Sequence, residues 1–197
     1  MNPENRDVYS GLSHAAWGYF FLHFDFNLNN VSIFPRFVGW VLLLSACEKL
    51  SKERRDLALL RPLTVLLAAW STLDWLLSWG GGSANGHILF LDLLIAVAGL
   101  YFHFQFLTDM AALAARYQPE GAGLDGQLCS RRTVYVVLTT LAALLGDLNL
   151  FVALPEPLGA WIATGLALTA LIAAFMIMAA LFRLRRYFAA AEVELDA

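Results

Sequence analysis

The sequence predicts an all-α integral membrane protein, a bundle of six transmembrane helices with both termini in the cytoplasm. Three observations carry that expectation. The 197 residues are 59% hydrophobic and only 15% charged, against about 45–50% apolar and about 25% charged in soluble domains. The charges are clustered, so several stretches reach the ~20 mainly apolar residues that a spanning helix needs. And twelve of the thirteen Lys and Arg residues fall on one side of the resulting topology, leaving Arg36 alone on the other. Lys and Arg concentrate on the cytoplasmic side of membrane proteins, so this asymmetry orients the chain, and an even number of spans returns it to the side where it began. The whole chain, residues 1–197, forms a single transmembrane domain with no room for a sizeable soluble one.

The first helix is expected over residues 9–28 and is rich in aromatics, including Trp17, Tyr19, Phe20 and Phe24. The second, residues 35–50, opens on Pro35, whose missing N–H does no harm in a first helical turn. The third, residues 62–79, follows Pro62 and stops at the glycine run Gly80-Gly81-Gly82, a turn signal. The fourth spans residues 87–115. A polar, glycine-bearing loop is expected from Gln118 to Arg132. The fifth helix takes residues 133–154, Pro155-Glu156-Pro157 makes a tight turn, and the sixth takes residues 158–184, leaving a mobile acidic tail at Glu192 to Asp196. The start Met1-Asn2-Pro3-Glu4-Asn5-Arg6-Asp7 lacks the basic, small-residue pattern of a cleavable signal peptide. Cys47 and Cys129 fall near the cytoplasmic side, where a disulfide is not expected.

A faint internal repeat crosses this layout. Asp25-Phe26-Asn27-Leu28 and Asp147-Leu148-Asn149-Leu150 share Asp-x-Asn-Leu, each with a proline ten residues after the aspartate, and Met110-Ala111-Ala112-Leu113 recurs as Met178-Ala179-Ala180-Leu181. Two readings stand: three repeated helical hairpins, as internal repeats in transporters would give, or chance matching in a Leu/Ala-rich alphabet.

Asp25, Asp74, Asp92 and Asp147 lie at nearly the same depth near the end opposite the basic loops. A carboxylate at the bilayer centre costs about 2.5–3.5 kcal/mol on insertion scales, less near the ends, and such acids usually face the bundle interior or a watery cavity. With Asn27 and Asn149 at the same level, they are candidates to bind a cation or small cationic solute in an outward-facing pocket. The competing reading is structural: helix caps and interhelical hydrogen bonds. His103 and Asp109 in the fourth helix are candidates for a polar relay across the membrane, against the simpler reading of a single hydrogen-bonded histidine. His23 and Asp25 are two residues apart and His87 and Asp92 five, neither being the three or four that puts ligands on one helical face, so the identity of any metal is left open. No cofactor is implied. There is no phosphate-binding glycine motif, no Gly-x-Ser-x-Gly and no His-Glu-x-x-His, so an enzyme is the less favoured reading, and nothing points to nucleic acid. The partners expected are the lipid bilayer and either another membrane protein or a second copy of the chain, which the small residues of the last two helices would admit.

The first hairpin, from Phe24-Asp25-Phe26-Asn27-Leu28 to Phe34-Pro35-Arg36-Phe37-Val38-Gly39-Trp40, resembles a group of short, uncharacterised bacterial multipass proteins. That resemblance covers about the first quarter of the chain and implies a bacterial plasma (inner) membrane, with no activity attached. In size and in six helices with both ends inside, the layout is similar to the substrate-binding components of energy-coupling-factor vitamin transporters, although the first helix lacks an Ala-x-x-x-Ala docking pattern. Two functions follow as expectations: a transporter or membrane-embedded binding subunit, and a non-catalytic membrane partner whose carboxylates are structural.

Overall fold

The computed structural model describes residues 3–24, 27–28, 31–32, 35–85, 88–148 and 156–195. Among these residues the fold is helical apart from one pair of two-residue strands. In chain order come α1 (Pro3–His23), β1 (Asn27–Leu28), β2 (Val31–Ser32), α2 (Arg36–Leu50), the single turn α3 (Asp56–Leu59), α4 (Arg61–Ser78), α5 (Leu89–Tyr117), α6 (Leu124–Leu148) and α7 (Glu156–Leu195). β1 and β2 pair antiparallel, Asn27 opposite Ser32.

Among the described residues, four stretches are long and apolar enough to cross a membrane: Asp56–Ser78, Phe90–Tyr117, Leu124–Leu145 and Leu158–Glu192. α1 opens on the polar run Pro3-Glu4-Asn5-Arg6-Asp7, and α2 has only fifteen residues, short of the ~20 that a span takes. The outward faces of the longer helices are apolar: Leu73, Leu76 and Leu77 on α4, Phe90, Leu94 and Val97 on α5, Val134 and Leu141 on α6, and Leu168, Ile172 and Met176 on α7 are all exposed. Continuous apolar surface of this kind needs lipid or protein against it, and the chain has the build of a membrane protein.

Several boundaries differ from the expected ones, for local reasons. α1 starts at Pro3 and stops at His23, short of the expected end at residue 28, and Asn27–Leu28 pairs as strand instead. α6 starts at Leu124 rather than residue 133, so most of the expected loop from Gln118 to Arg132 is helix. The cause is Gln118: its Oε1 accepts from the Leu124 and Asp125 amides at 2.6 and 3.3 Å while its Nε2 donates to Asp125 Oδ1 at 2.9 Å. Those contacts satisfy N–H groups that a helix start leaves orphaned. Gly121 and Gly123, at φ +78° and +59°, supply the left-handed backbone of the turn before it. α7 continues to Leu195, so Glu192 to Leu195 is helix and not a loose tail.

The six long helices pack as a ring in chain order: α1 on α2, α2 on α4, α4 on α5, α5 on α6, α6 on α7, and α7 back on α1. The tightest seam is α1–α2. A Cβ on Gly39 would lie 2.9 Å from the Gly18 carbonyl oxygen and 2.8 Å from Leu22 Cγ, and one on Gly18 would lie 2.8 Å from Leu43 Cγ. Only glycine lets the two backbones meet there. α4 and α5, by contrast, touch over a much shorter stretch than the other neighbours. The middle of the ring is filled by aromatic side chains: Tyr19 of α1, Trp40 of α2, Phe102 and Phe106 of α5 and Tyr135 of α6 are buried together.

One end of the ring gathers the basic residues. Lys49 donates to Ser10 (2.7 Å), Lys52 pairs with Asp7 (3.5 Å), Arg116 pairs with Glu53 (2.7 Å) and Arg185 donates to Ser13 (3.1 Å). The starts of α1 and α6 and the ends of α2, α5 and α7 therefore share that end, and Arg36, at the start of α2, lies at the other.

Candidate binding cleft

Where α4 stands off from α5, a cavity of about 320 Å³ opens between α2, α4, α5 and α6. Its walls follow helical periodicity. Arg36 and Trp40 are one turn apart on α2. Leu67, Trp70, Ser71 and Asp74 form one stripe of α4, and Ile95, Gly99 and His103 one stripe of α5. Tyr135, Thr139 and Ala143 do the same on α6, and Asn85 comes in from the α4–α5 loop. Residues four apart share a helix face, so each helix gives one polar-bearing stripe to the same space.

Asp74 is held by the loop that follows its own helix. Its Oδ1 accepts from Ser83 Oγ at 2.9 Å and from the Ala84 amide at 2.8 Å. Asn85, whose amide donates to Ser83 Oγ at 3.1 Å, takes a hydrogen bond from Trp70 Nε1 at 3.0 Å. A carboxylate, a loop and a tryptophan thus brace one another at the cavity rim.

The lining residues His103 and Tyr135 belong to a chain of aromatic hydrogen bonds that continues into α1. His23 Nδ1 lies 2.8 Å from the Tyr19 carbonyl oxygen, which can only accept, so Nδ1 carries the proton. His23 Nε2, 2.7 Å from Tyr135 Oη, then accepts from that hydroxyl. Tyr19 Oη and His103 Nδ1 are 3.0 Å apart. Tyr19 is almost fully buried, so its O–H must find an acceptor. Donation to Nδ1 provides one and leaves the proton of His103 on Nε2. Arg36 lies close enough to His23 and Tyr135 to act on both electrostatically. The ring contacts of His103 with Tyr135 (5.0 Å between centroids), Trp40 (5.5 Å) and Tyr19 (5.5 Å) fix the imidazole in place.

Of the predicted site residues, the structure brings Asp74 and His103 to this cavity. Asp92 stands half-buried in the first turn of α5, where a helix N-terminus favours negative charge, and it is not among the lining residues. Asp25 and Asn149 lie outside the described residues. Asn27 is in β1 and Asp147 in the last turn of α6, with side chains outside the described ones. Asp109 belongs to a different network at the basic end. It is fully buried, takes a hydrogen bond from Gln105 Nε2 at 3.2 Å and pairs with Arg54 at 3.2 Å. His103 and Asp109 thus sit in separate hydrogen-bond networks, one on α1 and one on the α2–α3 turn. Among the described residues, no three His, Cys, Asp or Glu side chains converge as a metal ion would require.

Sequence reading passed over Arg36, Trp70, Tyr135 and Thr139. The signal for Arg36 was present: it is the sole basic residue on its side of the topology, and a charge that violates such a bias needs a role. The α4 and α6 stripes were also readable as i, i+4 polar positions in otherwise apolar helices.

Comparisons of the chain with protein-family models, curated proteins and solved structures give no match.

Proposed function

We propose that the protein is a small multipass membrane protein that binds a small polar solute, for transport or delivery, in the cleft between α2, α4, α5 and α6. The observation that carries this reading is that Arg36 and Asp74 line one cavity whose inner wall is the Tyr135–His103 aromatic cluster. A pocket bearing one acid and one guanidinium favours a solute with both signs of charge. The purely cationic solute expected from the aspartates alone is therefore narrowed to a dipolar one, an ammonium for Asp74 and a carboxylate for Arg36. Arginine's planar fork matches a carboxylate in two hydrogen bonds, and the cavity lining includes Trp40 and Trp70, a ring type that attracts ammonium groups. The volume lies at the small end of the ~300–1,000 Å³ typical of ligand pockets. In this proposal α1 and α2 complete six spans, both termini are cytoplasmic, and the cleft opens outward across a bacterial plasma membrane.

The test is thermal unfolding of the detergent-purified protein with amino acids and betaines, with the matching amines, and with the matching carboxylates. A ligand at 100 times its Kd that binds only the native state adds about 2.7 kcal/mol. The expected result is stabilisation by a zwitterion, lost in both Asp74→Asn and Arg36→Gln. Stabilisation that survives both variants, or by none of the three solute classes, contradicts the proposal.

One observation favours a second reading. Asp74 Oδ1 already accepts two hydrogen bonds from the α4–α5 loop, as an acid with a purely structural task would. In that reading the protein is a non-catalytic membrane partner, and Asp74→Asn lowers stability without touching any ligand response.

A further inference from the structure

The basic residues at the crowded end are not all treated alike. On the α2–α5 side, Lys52, Arg54, Arg61 and Arg116 each meet a carboxylate. On the α6–α7 side, Arg131 and Arg183 meet none among the described residues. Instead both guanidinium groups turn to the same neutral atom: Gln127 Oε1 accepts from Arg183 Nη1 at 3.1 Å and from Arg131 Nη2 at 3.4 Å. Arg131 also donates to the Met176 carbonyl of α7, and Arg183 to Tyr187 Oη at 3.1 Å. Two like charges therefore share one neutral acceptor, and no carboxylate stands between them among the described residues.

Their position indicates the class of anion that suits them. Phe175 and Met176, on one side of the pair along α7, are exposed apolar residues, while Arg186 and Tyr187 on the other side begin the polar end of the helix. A tyrosine and arginines at such a boundary sit at headgroup depth, and basic pockets between helices there take anionic headgroups. We infer that Arg131 and Arg183, aligned by Gln127 and flanked by Tyr187, form a site for the phosphate of an anionic phospholipid. Two forks fit the unesterified oxygens of a phosphodiester. A headgroup without a compensating ammonium keeps a net negative charge, opposite in sign to the pair. The site rests on the membrane build of the chain and not on the cleft.

The experiment is thermal unfolding and native mass spectrometry of the full chain in neutral detergent, with phosphatidylglycerol, phosphatidylcholine or inorganic phosphate added. Phosphatidylglycerol is expected to raise the Tm of the wild type and to remain bound in the spectrometer, with phosphatidylcholine doing neither. Arg131→Gln/Arg183→Gln is expected to weaken phosphatidylglycerol binding at least tenfold with a small change in its lipid-free Tm, because the repulsion it removes offsets the hydrogen bonds to Gln127, Met176 and Tyr187 that it gives up. Arg186→Gln, an exposed neighbour, is expected to keep the binding. Equal responses to the two lipids in the wild type overturn the site whether or not the double variant folds. An equal loss in Arg186→Gln replaces it with diffuse surface attraction, and a full effect from inorganic phosphate replaces the lipid with a free anion.

Discussion

At the scale of single residues, the chain uses its intramembrane acids in distinct ways. Asp109 is the structural case: a fully buried carboxylate held by Arg54 and Gln105. Removing one partner of such a pair leaves a charge stranded. Arg54→Ala should cost roughly 3 kcal/mol, the low end of the range for buried pairs because Arg54 is partly exposed. Arg54→Met with Asp109→Leu should cost clearly less than Arg54→Ala, since the double change removes both charges. Thermal or denaturant unfolding in detergent reads both. A double variant as damaged as the single one would mean that the pair is not what holds the α2–α3 turn on α5. Asp74 is different, because its carboxylate both braces the α4–α5 loop and lines the cleft. Asp74→Ala should lose about 1–2 kcal/mol with its two loop hydrogen bonds. Its depth near the end of the third helix was readable from sequence, since an acid five residues from a helix end in an apolar run stands out. Its partners were not, because Ser83 and Ala84 reach it only through the geometry of a glycine-rich turn.

At the scale of elements, the α1–α2 seam and the start of α6 carry the tests. Gly39→Val places carbon against the Gly18 carbonyl and the Leu22 amide. Backbone cannot give way as a side chain can, so α1 and α2 must separate. The expected loss is at the upper end of the ~1–3 kcal/mol of overpacked sites, read as a lower Tm. Gly126, inside α6 with open space where a Cβ would go, should behave oppositely. Gly126→Ala is expected to gain about 0.5–1 kcal/mol from helix propensity, and a loss there would argue against helix at that position. The helices themselves were largely visible as apolar runs between proline and glycine signals, and four of the six long ones, α2, α4, α5 and α7, fall within two residues of expectation at one boundary or both. α6 was shortened by nine residues at its start because Gln127, Arg131 and Arg132 look like a loop by polarity. The Gln118 side chain, six residues before Leu124, is what starts the helix early, and no local pattern announces a cap from that distance. The close approach of Gly18 and Gly39 was equally hidden, since each reads as an ordinary glycine in a membrane helix until the two helices are placed together.

At the scale of the whole molecule, a closed ring of six helices with one loosely joined neighbour pair creates a polar cleft at the end away from the basic residues. Charge asymmetry is the ground for expecting the acidic residues at that end. It could not predict that Arg36, counted only as an exception, would share a cavity with Asp74, because that depends on α2 packing on α4 while α4 stands off from α5. The central claim, an outward-facing polar cleft, is tested most directly by access. Ser71 lines the cavity on α4, Cys47 is buried, and Cys129 can be replaced by serine. In cells expressing Ser71→Cys in the Cys129→Ser background, a membrane-impermeant maleimide added outside should label Cys at 71, and a zwitterion that fills the cleft should slow the labelling. Labelling only after permeabilisation, or only from the basic side of inverted vesicles, would contradict an outward-facing cleft.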